Sequence, residues 1–100
     1  MSSTPRETER HPVDLSREQR WVVHHVLADR AEESIDAGDR PPAWLVDLFE
    51  RIESGPATIT TRQATRLEAA LAVYAAAEGT PDRDRPVASA VVDELVAIDA

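Results

Sequence analysis

The run from Ile59 to Glu78, ITTRQATRLEAALAVYAAAE, constrains this chain more than any other stretch. Thr60 and Gln63 have the spacing of a capping box, in which each side chain bonds the other's backbone N–H. Behind that start, Leu67, Leu71 and Tyr74 recur at i, i+4 and i+7 and fall on one stripe of a 3.6-residue period. Between Ala69 and Ala77 nothing is charged. The spacing therefore predicts one long helix over 60–78, buried along the leucines.

The rest of the chain repeats this grammar. Ser16 and Gln19 form a second capping-box pair, and Val22, Val23, Val26, Leu27 and Ala31 follow on one face, widened by Trp21, Ala28 and Ile35. Gly38 and the Pro41-Pro42 pair end that helix, predicted over 16–37. Pro42 suits the first turn of a short helix over 42–54, whose buried side is Trp44, Leu45, Leu48, Phe49 and Ile52 and whose stop is Ser54-Gly55-Pro56. After Gly79-Thr80-Pro81 and a charged connection, Val87, Val91, Leu95 and Ile98 mark a last helix over 86–98. Ala57-Thr58-Ile59 is extended in character, but three residues with no partner strand make no sheet. The expected fold is all-α, a compact antiparallel four-helix bundle in one domain over 15–100. Residues 1–14, polar and with two prolines, are expected to form a flexible tail.

Composition narrows the function classes. With 100 residues and no cysteine the chain has room for one small core and offers no disulfide or thiolate metal site. No apolar run reaches the roughly 20 residues of a membrane span, and the first residues lack the apolar segment of a secretory leader. A cytoplasmic protein with no membrane partner is expected. Nineteen carboxylates face eleven basic residues, all arginine, giving a net charge of −8. Self-repulsion on that scale is tolerated where salt screens it, so a lysine-free acidic chain reads as salt-adapted. The alternative to salt adaptation is a GC-rich genome whose codon bias alone favours arginine, alanine and valine.

Few residues carry chemistry. His25 and Asp29 sit four apart and could form one edge of a metal site, but they supply only two ligands, and neighbouring His24 points about 100° away. There is no nucleophile-elbow spacing and no phosphate-binding glycine loop. The sequence therefore points to no enzyme, no cofactor and no metal. Two surface readings remain. Trp44 to Leu67 has the rhythm of a helix-turn-helix in which Thr60, Thr61, Arg62, Gln63, Thr65 and Arg66 would face DNA, although the connection is long and the molecule acidic. On the central helix Ala69, Ala72 and Ala76 lie away from the leucine stripe and offer a self-association face or simply exposed alanines. A non-enzymatic interaction or regulatory module, acting on a protein partner or as a homodimer, is the expected function. Nucleic-acid binding is the alternative.

WVVHHVLADR, PPAWLVDLFERIESG and the segment through AAEGTPDRDRPVASAVVDEL together resemble a family of short haloarchaeal proteins of unknown function. The match covers Trp21 to Arg30, Pro41 to Gly55 and Tyr74 to Leu95. It implies a salt-rich cytoplasm and transfers no activity. His24-His25 and the turn from Thr80 to Arg85 are its most distinctive features.

Overall fold

The computed structural model describes residues 9–54 and 57–99. Residues 1–8 of the flexible tail expected over 1–14, and the Gly55 and Pro56 of the stop assigned to the helix over 42–54, lie outside the described residues. In chain order the elements are β1 (Arg10–Val13), α1 (Arg17–Asp36), α2 (Ala43–Glu53), β2 (Ala57–Thr60), α3 (Thr61–Ala76) and α4 (Asp84–Asp99). Among the described residues the chain is mostly helical, with four helices and a small two-stranded sheet.

Both capping boxes form. Ser16 Oγ accepts from Gln19 N–H at 3.1 Å while Gln19 Oε1 accepts from Ser16 N–H at 2.9 Å. Thr60 and Gln63 repeat the exchange at 3.1 and 2.9 Å. At the far end of α1, Gly38 adopts φ +83, the left-handed conformation that costs glycine nothing. Asp39 N–H then reaches Ser34 O at 2.8 Å and Gly38 N–H reaches Ile35 O at 3.0 Å, the paired bonds of a Schellman stop.

The sheet corrects the expectation of a pure helical bundle. β1 pairs antiparallel with β2, Arg10 opposite Thr60 and Val13 opposite Ala57. Arg10–Val13 therefore belongs to the fold rather than to a tail. The partner that Ala57-Thr58-Ile59 lacked on paper lies almost fifty residues upstream. Thr61 N–H extends the ladder to Glu9 O at 3.0 Å, and His11 Nε2 bonds Thr61 Oγ1 at 2.8 Å. Ile59 and Val13 turn inward, so the sheet closes the core above the start of α3.

One core unites all these elements. Leu27, Leu48, Leu71, Val91 and Leu95 are fully enclosed, with Val23, Leu45, Ile59 and Leu67 beside them. α3 and α4 make the most extensive contact and fold back on each other as a helical hairpin. The turn between them caps α3. Thr80 Oγ1 donates to Tyr74 O at 2.6 Å, and Arg85 donates to Ala75 O and Ala77 O at 2.6 and 2.7 Å. These bonds satisfy carbonyls that a helix C-terminus leaves open. They end α3 at Ala76 and let α4 begin at Asp84, two residues earlier than its apolar stripe suggests.

Candidate interaction surfaces

The predicted DNA-facing residues divide. Thr61 and Gln63 are buried, and both are engaged internally. Thr61 holds His11, while Gln63 Nε2 donates to Asp47 Oδ2 at 2.6 Å, locking the start of α3 onto α2. Asp47 also accepts from Arg51 Nε at 3.0 Å. The Arg51 hydrogen bond is the main reason the Asp47 carboxyl sits below its ordinary range; burial opposes it and Gln63 assists. Arg62 and Arg66 remain exposed, but the Arg66 guanidinium lies over the Trp44 ring, 5.4 Å from its centroid. A strand, not a tight turn, joins the two helices.

His24 and His25 point apart, as neighbours on a helix must. His24 lies between Trp21 and Phe49, with centroid separations of 6.3 and 4.6 Å, and its Nε2 bonds Glu53 Oε1 at 2.7 Å. His25 tilts over Tyr74 at 5.6 Å. Among the described residues no three histidines or carboxylates are gathered to hold a metal ion.

Among the described residues, the most exposed large apolar side chains lie on the outward faces of α1 and α3. On α3, Ala69, Ala72 and Ala76 are exposed, and Val73 between them is 61% exposed, directly opposite the buried Leu67–Leu71 stripe. On α1, Trp21 and Ile35 are 70% and 61% exposed. That overturns the expectation that they widen the buried stripe. Val22, Val23, Val26 and Leu27 already fill the inward arc, and Trp21 and Ile35 fall well outside it. A sequence signal for this was present: at 100° per residue Trp21 and Ile35 fall on the side of α1 opposite the middle of the Val22, Val23, Val26 and Leu27 arc.

Beside Trp21 lies an open groove of about 820 Å³. α1 supplies Arg17, Arg20 and His24, α2 supplies Ile52 and Glu53, and the start of α4 supplies Asp84 and Val87, with Arg83 just before it. Glu53 is held by His24, and Asp84 accepts the Tyr74 hydroxyl at 2.6 Å. Among the described residues no ion pair engages Arg17, Arg20 or Arg83.

These features define a small, mostly helical domain that, among the described residues, carries a groove of mixed charge and two helix faces with exposed large apolar side chains. No helix among the described residues is long and apolar enough to cross a membrane. The chain belongs to a family of unknown function, DUF7853, whose profile matches residues 13–96. No curated protein and no solved structure matches it.

Proposed function

We propose that this protein is a non-enzymatic interaction module that works as a homodimer. The observation that carries the reading is the exposure of large apolar side chains, Trp21, Ile35 and Val73, on the outward faces of two core helices. Aromatic and aliphatic side chains left uncovered on a helix face are the usual anchors of a protein interface. The buried polar groups support the same reading, because Thr61, Gln63 and Thr80 are all spent on caps and the sheet. Sedimentation velocity in molar KCl across the micromolar range tests it, with a dimer expected. A monomer at every concentration would remove the reading.

An acidic, lysine-free surface suits a salt-rich cytoplasm, and a melting temperature that climbs steadily with KCl is the expected signature. DNA binding through α3 is the weaker reading, since two of its side chains are already engaged and a net charge of −8 repels phosphate. Fluorescence anisotropy with duplex DNA separates the two. Steep, salt-dependent affinity lost in the Arg62→Ala/Arg66→Ala variant would favour DNA.

A further inference from the structure

β1 is joined to the rest of the fold by little. Its side chains run exposed, half-buried, exposed, buried, so of the four only Val13 enters the core. Among the described residues, β2 is the only element that β1 touches extensively. β2 itself packs against α2 and α3, and the capping boxes that start α1 and α3 use no atom of β1. Glu9 O accepts the Thr61 N–H, and the antiparallel register then makes His11–Ile59 and Val13–Ala57 the other pairs that exchange backbone bonds. Pro12 falls between those pairs and turns its backbone to the outer edge, where its missing N–H takes nothing from the ladder. A two-stranded sheet of this length is marginal without further packing, and elements with few buried contacts are the ones that open without the rest.

We propose that β1 is a strap, which swings off β2 about Asp14 while the four helices stay folded. Asp14 is exposed. Immediately after it Leu15 packs against the core and Ser16 caps α1, so the base of the strap stays fixed. Release gives up the buried Val13, the ladder and the His11–Thr61 bond, and withdraws no other side chain of β1 from the core. It bares Ile59, now 1% exposed, and the backbone edge of β2 that β1 had engaged. The strap is thus the cover over a strand edge and an aliphatic side chain that the closed molecule hides. Because its base is held beside its slot, reclosing needs no closure of the long chain segment between the two strands. Strap release needs no second copy of the chain, so it stands or falls apart from the homodimer reading.

Native-state hydrogen exchange on the full chain, read residue by residue at rising urea below the unfolding transition, tests this. The Thr61 N–H stands in the first turn of α3 and has no intrahelical partner, so its protection reports on β1. The N–H groups of Thr61 and Ile59 are expected to be protected at least about a hundredfold less than that of Leu71. Their protection is expected to agree between the two and scarcely change with urea, whereas Leu71 loses protection steeply because its exposure requires the whole core to open. Pro12→Cys/Thr58→Cys locks the strap. The two positions face each other in a pair that exchanges no backbone bonds, where Cα atoms lie about 4.5 Å apart and a disulfide fits, and the chain has no other cysteine. Oxidation is expected to raise the protection of Ile59 and Thr61 to that of Leu71, and reduction to restore the difference. Wild-type Ile59 and Thr61 protected as strongly as Leu71, with the same urea dependence, would show that β1 leaves only when the chain unfolds, and that overturns the proposal. Fast exchange that persists in the oxidised variant overturns it too. Thr61 fast with Ile59 slow means fraying at the Glu9 end, and overturns release of the whole strand.

Discussion

Tyr74 donates its hydroxyl to Asp84 Oδ2 at 2.6 Å, joining the last turn of α3 to the first turn of α4. Burial, followed by the bond to that carboxylate, pushes the Tyr74 phenol up to about 12. The folded chain thus keeps a proton that an unfolded tyrosine gives up near 10. This contribution to stability is complete below pH 10 and is lost as pH rises through the folded value. The chain has no lysine and one tyrosine, so little else titrates in that window. Denaturation midpoints measured between pH 10 and 12 are expected to fall for the wild type and to flatten in Tyr74→Phe.

Gln63 is bonded at both ends of its amide, to Thr60 within the cap and to Asp47 on α2. Thr60→Ala is expected to cost about 1 kcal/mol by loss of the cap. Gln63→Ala removes the same cap's other half and also leaves Asp47 short of a donor, so a larger cost, about 1–3 kcal/mol, is expected. Urea titration of the two variants ranks them. Equal values would mean that the Asp47 bond contributes nothing.

Asp47 gives the acid-side counterpart. Its carboxyl is held below 3.8, so the stability it adds is present above that value and disappears as pH falls through the lower, folded one. Asp47→Asn should flatten the acid limb of the stability curve below pH 3.8 relative to the wild type. Thermal melts across that limb read the difference.

Gly38 has open space where a Cβ would stand, so any cost of Gly38→Ala comes from the backbone alone. A non-glycine residue at φ +83 is expected to destabilise the chain by about 1–2 kcal/mol. Chemical denaturation measures it, and a neutral result would show that α1 ends in some other way.

Leu71 is fully enclosed between α3 and its neighbours. Truncation to alanine should cost about 2–5 kcal/mol, the range for a buried leucine that leaves a cavity. A loss under about half a kcal/mol would mean that the helix had been phased wrongly.

The helices were legible in the letters because α1 and α3 begin with capping boxes and each helix carries an apolar stripe of the right period. Ser16, Thr60, Gly38 and the leucines of α3 all do what their spacing implies. β1 was not legible. RHPV shows no alternation, its proline lacks an N–H, and the strand it pairs with is distant in sequence, so no local signal reports the match. Trp21 and Ile35 misled for a different reason. A helical projection ranks residues by angle but does not say how wide an arc its neighbours cover, and here Val22, Val23, Val26 and Leu27 suffice. Arg85 looked like part of a charged connection, because capping by a long side chain several residues away leaves no fixed pattern.

The register of the small sheet sets how the molecule would yield to a mechanical load. Arg10 and Thr60 are neighbours at one end of the pair, so traction on the backbone at Glu9, resisted by α3, would part the strands like a zip, one rung after another. The first groups bared would be Thr61 and then Ile59, at the very place where α3 begins. An unfolding motor gripping this side of the chain would therefore open the core from the start of its central helix rather than having to tear the helices apart.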